Sequence, residues 1–362
     1  MQRALGALML VALISVNGEA AAEPYIAVVT GFKCAQCHTN AAGGGKRTAF
    51  GTAYAHNELA RRVVSLDGAG AAWTGEVNRW LAVGADLRAG FDYVDTPGLE
   101  ERSEFEVSRG SVYAELRAIP SLLTFYVDEQ IAPGGTLNRE AYALLTPANG
   151  KYTVKAGKFF LPYGLKLQDD TAFVRQVTGM NLATPDNGVE FGLELDKWSA
   201  QFAVSNGTAG APDNDSGKQM SATASYVDPR WRIGASYNSN NADLGDRDMQ
   251  SVFAGLRTGP IAWLAEIDYI TDDVPGGEQD RKVSLLEGNW RIVKGHNLKL
   301  SYEFHDPDDA VDEDQRERYS LVWEYSPFQL LQSRVGIRAY NGVPNNAGTN
   351  RDELFAELHV YF

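Results

Sequence analysis

The end of this chain limits its fold more than any other stretch. Reading back from the terminus, Phe362, Val360, Leu358, Ala356 and Leu354 are apolar, while Tyr361, His359, Glu357 and Phe355 between them are mostly polar or amphipathic. A period of two means a strand with one face toward an apolar medium and the other toward a polar one. The same alternation runs through Leu81, Val83, Ala85, Leu87, Ala89 and Phe91 against Asp86, Arg88 and Gly90. It returns in Leu298, Leu300, Tyr302 and Phe304 against Lys299, Ser301, Glu303 and His305, and again in Tyr319, Leu321, Trp323 and Tyr325 around Ser320 and Glu324. From Arg79 onward about sixteen such segments fit, within a range of roughly fourteen to eighteen.

The connections sharpen the reading. Long polar stretches near 95–103, 130–138, 165–187, 206–218, 238–248, 271–281, 306–316 and 341–351 alternate with tight turns such as Asp196-Lys197, Thr258-Gly259-Pro260, Lys294-Gly295 and Ser326-Pro327. Transmembrane barrels are built this way, with long loops outside and short turns on the periplasmic side. A soluble sandwich, the competing reading of an alternating strand, has no reason to keep that rhythm. Trp198, Tyr226, Trp231, Tyr237, Trp263, Tyr269, Trp323 and Tyr325 fall near strand ends, as interfacial girdles require. The net charge of −14 decides little about the membrane, but acidity without basic runs argues against a nucleic-acid partner. The expected fold is all-β, a transmembrane antiparallel barrel over 79–362. A last strand ending in Phe also resembles the signal by which Gram-negative bacteria assemble outer-membrane proteins.

Residues 1–22 read as a cleaved signal peptide. Arg3 gives the positive start, the apolar run from Ala4 to Val16 is short, and Ala20-Ala21-Ala22 offers a cleavage site. An anchor helix, the alternative, needs about 20 apolar residues. The chain is therefore expected to be exported to the cell outer membrane, with outer-membrane lipids around it.

Cys34-Ala35-Gln36-Cys37-His38 matches C-x-x-C-H, the attachment motif for c-type haem. Two thiols at this spacing reach the two vinyl groups of one porphyrin, and the adjacent histidine falls under the iron. A disulfide, a thioredoxin-like site and a zinc site are the alternatives. The first two lack their usual strand–helix context, and zinc lacks neighbouring ligands. One haem c is the expected cofactor, with Cys34 and Cys37 as thioethers and His38 as proximal iron ligand. The distal candidate is His56, in a stretch, 48–64, that can form a helix over the haem. His359 is the runner-up, since alternation turns it and His305 into the lumen. Water at the sixth position would instead suit a ligand sensor. Gly43-Gly44-Gly45-Lys46-Arg47 reads as a basic element near the haem propionates or as a plain turn.

The segment 23–65 is near the size, about 40 residues, below which a chain needs a cofactor or partner to hold a core. A plug inside the barrel, reached through a linker at 66–78, meets that need.

Two resemblances follow from these residues. Gly157, Phe159, Pro162 and Gly164 resemble the G-x-F-x-x-P-x-G stretch of phosphate-selective-porin-like barrels, whose next loop folds inward. The strands carry no basic ladder that would argue for phosphate. The export signal, the run from Pro24 to His38, the later Thr48-Ala49-Phe50-Gly51 and the barrel together resemble the fused monohaem c-type cytochrome–porins of the outer membrane. That resemblance implies electron transfer, with extracellular Fe(II) oxidised and electrons passed to a periplasmic c-type cytochrome. Such a protein is an electron carrier rather than a hydrolytic or transferase enzyme. The alternatives are a diffusion porin for small or anionic solutes with a haem-bearing plug, and a haem ligand sensor. Asp306, Asp308, Asp309, Asp312, Glu313 and Asp314 would concentrate cations, though a run of this kind is more simply a solvated face.

Overall fold

The computed structural model describes residues 23–64, 73–147, 149–180, 184–213, 215–243, 245–344 and 346–362. The expected signal peptide and most of the expected linker lie outside the described residues.

Sixteen antiparallel strands close into one barrel, each bonded to the next in sequence, and β1 (Leu81–Asp95) pairs with β16 (Arg351–Tyr361) to seal it. The alternation sets which side chains enter. In β16, Phe355, His359 and Tyr361 are buried while Leu358 and Val360 are exposed on the outer face. In β9 (Trp231–Asn240), Arg232, Gly234, Ser236 and Asn238 turn inward, and Trp231, Ile233 and Tyr237 outward. An exposed apolar belt of this kind is stable only against lipid. At one edge of it Tyr226 meets Trp198 edge-to-face and stacks on Trp231, with ring centroids 5.1 and 4.9 Å apart.

Some expected loops are strand instead. β11 (Ile261–Val274) and β12 (Gly277–Val293) run on through 271–281, pairing Asp272 with Gln279 and Asp273 with Glu278. Here both faces are polar, so the period of two disappears from the sequence while the backbone ladder continues. β1 and β2 (Arg102–Ile119) take only the two ends of 95–103, at Asp95 and at Arg102 and Ser103, and leave a loop between them.

Two segments occupy the lumen. The first is the N-terminal one, made of α1 (Pro24–Thr30), α2 (Cys34–Cys37), α3 (Ala49–Tyr54) and a π turn over Ala55–Leu59. It enters at the short-turn end. Arg230 N–H donates to the Val28 carbonyl at 3.1 Å, Arg61 N–H to Ser326 at 2.9 Å, and Lys33 Nζ to Leu195 at 2.6 Å. The second is the connection between β5 (Tyr152–Phe159) and β6 (Asp186–Glu194), which carries α4 (Phe173–Gln176). It is held on one side by Glu266, whose carboxylate accepts from Leu165 N–H. On the other side Arg318 and Arg338 pair with Asp169, and Arg109 with Asp170. Tyr25, Val28, Ala55 and Leu59 of the first segment share one core with Leu165, Leu167 and Val174 of the second and with Phe253, Leu264 and Leu285 of the wall.

Candidate functional site

The site begins with local backbone geometry. Lys33 N–H donates to Gln36 Oε1, opening the single turn that presents Cys34, Cys37 and His38. Thr48 caps α3 by accepting from Gly51 N–H at 3.1 Å, and its own N–H donates to the Cys37 carbonyl at 3.0 Å. α3 then packs so tightly on α2 that a Cβ at position 51 would lie 2.2 Å from the Cys37 carbonyl oxygen. Glycine there lets the two turns touch. Between them, Gly43, Gly44 and Gly45 all have positive φ, at 93°, 80° and 61°, so the triplet is a fixed left-handed turn. His38 and Arg47 pair across it as an isolated bridge.

That turn orients the histidine. His38 Nδ1 lies 3.0 Å from the Gly44 carbonyl oxygen. A carbonyl can only accept, so Nδ1 carries the proton and Nε2 keeps its lone pair. Burial, then the charge of Arg47, pushes His38 down to about 3, and the ring is neutral. Burial likewise holds the Cys37 thiol up at about 11, with Cys34 adding to the effect.

Cys34, Cys37 and His38 line one cavity, walled by Ile26, Phe32, Tyr54, Ala55, Leu59 and Leu165. His38 also faces a second cavity that reaches Arg88, Arg109, Arg139 and His359. A third shares Arg88, Arg109 and Gln168 with the second and opens along β1, β2, β15 (Leu331–Asn341) and β16. The three spaces lie in series along the lumen.

The donor set fits a c-type haem. The two thiols and a neutral imidazole lie on one apolar-walled space, whereas His56, buried on the π turn with its Nε2 lacking a hydrogen-bond partner among the described residues, is not part of that lining. An orphaned buried imidazole nitrogen marks a missing partner, and π turns recur at functional sites. Burial first, then Arg47, pushes His56 down to about 4, so it too is neutral. His359 differs: its Nε2 lies 2.9 Å from Asp86 Oδ2 and its Nδ1 3.5 Å from Gln332 Oε1. Both nitrogens are engaged with the wall. His305 sits apart, beside Phe173 in the second lumen segment.

Three features were not read from the sequence. The Gly44 carbonyl acts as histidine acceptor, a role visible only once the turn is folded. Inward arginines from separate strands (Arg88, Arg109 and Arg139) gather on one side of the lumen opposite Asp169 and Asp170. Their spacing along the chain hides the cluster, which the absence of a sequential ladder did not predict. Lys166 projects onto the cavity of Cys34, Cys37 and His38 from a loop expected only to narrow a pore.

No family model and no curated protein matches this chain. Solved structures do. The anion-selective porin from Comamonas acidovorans superposes with a TM-score of 0.62 at 13% identity, covering 78% of this chain and 99% of that one. The barrel has a porin fold. OmpT of Vibrio cholerae, an outer-membrane protein in its loop L8 deletion form, gives 0.62 at 14% identity over 78% and 99% of the two chains. Pseudomonas putida OprB gives 0.61 at 9% identity over 78% and 94%. At such identities the likeness concerns the barrel alone.

Proposed function

We propose that this chain is an outer-membrane barrel of a Gram-negative cell that carries electrons across that membrane through one covalent haem c. The supporting observation is that Cys34, Cys37 and His38 line one apolar-walled cavity within the lumen. Cys34 and Cys37 would supply the thioether sulfurs, His38 Nε2 the proximal bond and His56 Nε2 the distal one. The group, when bound, supplies reversible one-electron chemistry. Around it, the shared core of the two lumen segments excludes water. The Gly44 carbonyl fixes the ring of His38 by accepting from its Nδ1–H, as carbonyls behind ligating histidines do.

Each side of the barrel then has a task. The long-strand side offers a wet vestibule where an external donor such as Fe(II) can approach, its charged lining including Asp92, Glu104, Glu106 and Glu353. The short-turn side brings the cytochrome-like segment within reach of a periplasmic c-type cytochrome. The test is a pyridine haemochrome spectrum of protein purified from outer membranes, taken before and after ferrous iron. A c-type spectrum that becomes reduced supports the reading. Absence of haem, in cells whose c-haem maturation works, ends it.

The porin fold and the three joined cavities favour a second reading, diffusion of small solutes past the plug. Conductance in planar bilayers separates the two. An open porin conducts, and continues to conduct after Cys34→Ala, whereas a sealed conduit does not.

A further inference from the structure

Two cations on the barrel side of the cavity that Cys34, Cys37 and His38 line have no carboxylate partner among the described residues. Lys166, on the inward loop, makes no hydrogen bond or ion pair there. Arg232, on β9, is 6% exposed, with its Nε buried and unpartnered and only the Phe253 ring 5.2 Å from its guanidinium carbon. Both line the same cavity as Cys34, Cys37 and His38. The other charges nearby are satisfied: Lys33 pairs with Glu194 at 2.8 Å, and Glu23 with Lys299 at 2.8 Å. In a chain of net charge −14, a buried arginine and a half-buried lysine left without acids stand out. A buried charge without a counter-charge is costly, so such groups are matched by a ligand or by a bound ion.

A porphyrin of the haem type carries two propionate carboxylates. Resting on the haem reading above, we propose that Lys166 and Arg232 hold these two carboxylates. The barrel, and not only the N-terminal segment, would then recognise the cofactor. The plug contributes the covalent and axial bonds, while the inward loop and the wall contribute the charge pairing. Lys166 also abuts the glycine turn, since a Cβ at position 43 would lie 3.7 Å from Lys166 Cβ. The loop therefore meets the plug where that turn begins.

A cation against a propionate disfavours the ferric haem, which carries the extra positive charge, and so raises the reduction potential. The experiment uses full-length protein from outer membranes and the variants Lys166→Met, Arg232→Met, Lys166→Arg and Arg232→Lys. Haem content is read by pyridine haemochrome, and the midpoint potential is read across pH. Each Met variant is expected to keep its haem and to show a lower midpoint potential with altered pH dependence. The conservative variants are expected to restore the wild-type curve. Lys197→Met, on an exposed turn, serves as a control that moves nothing. Met variants with full haem and unchanged curves would overturn the propionate assignment while leaving the haem reading intact. Wild-type protein with no haem would overturn both. If Arg232→Met fails to fold, Lys166→Met and Arg232→Lys decide the matter alone.

Discussion

His38 and Gly44 are joined by a single hydrogen bond of 3.0 Å, from the Nδ1 of the imidazole to the carbonyl oxygen at the centre of a left-handed turn. The turn exists because three glycines in succession accept positive φ, and it fixes which nitrogen of His38 is free. Gly45 packs closely against the barrel. Its φ is 61°, and a Cβ there would lie 2.7 Å from Tyr126 Oη. Gly45→Ala is expected to weaken docking of the plug by roughly 1–3 kcal/mol. Limited proteolysis should cleave the N-terminal segment faster while the barrel still shows its folded mobility on unheated gels. An unchanged cleavage rate would mean that the turn does not anchor the segment.

The two candidate distal histidines differ in what they already bond. His56 has a free nitrogen, and His359 has none. In haem-bearing protein, His56→Ala is therefore expected to convert a low-spin spectrum to a high-spin one that takes carbon monoxide readily. His359→Ala is expected to leave the spectrum alone. The opposite pattern would reassign the ligand to the wall of the barrel.

Lys299 lies among three carboxylates, 2.8 Å from Glu23, 3.3 Å from Glu324 and 3.9 Å from Glu287. Replacing it with Met leaves several acids buried together. The expected loss is roughly 3–5 kcal/mol in retention of the plug, as for one partner of a buried pair. Adding Glu23→Gln should recover part of that loss, because the two sites couple directly. The urea concentration at which the segment becomes protease-sensitive gives the measurement, and strict additivity would rule out the coupling.

The lumen segment should also govern ion flow. Protein lacking residues 24–64 is expected to conduct more in planar bilayers than the full chain, since Tyr25, Val28, Ala55 and Leu59 fill space against the inner wall. Equal conductance would mean that the second lumen segment alone sets the aperture.

The barrel was legible because lipid and lumen impose opposite demands on neighbouring residues, and that conflict is written every second position, as in Leu358, His359 and Val360. The strand extensions beyond the lipid were not, since Asp272 and Glu278 carry no alternation to detect. Within the site, Cys34, Cys37 and His38 were legible as a spaced motif. Lys166, Arg232 and the Gly44 carbonyl were not, because their relation to the motif arises from a loop turning inward and a wall strand facing it. His359 shows the limit of facing alone. Its inward orientation was readable from period two, but its engagement by Asp86 and Gln332 depends on two other strands.

The seam between β1 and β16 closes the ring around a segment that precedes β1 in the chain. Tyr361 at that seam accepts the guanidinium of Arg47 over its ring at 4.0 Å, and the terminal Phe362 borders the same cavity as His38. The first and last parts of the polypeptide thus meet on one surface. Sealing the wall and seating the plug bury residues that either event alone would leave wet, which ties them into one cooperative step of biogenesis. The N-terminal segment and the closing strand therefore share one buried surface, and removing either exposes residues of the other.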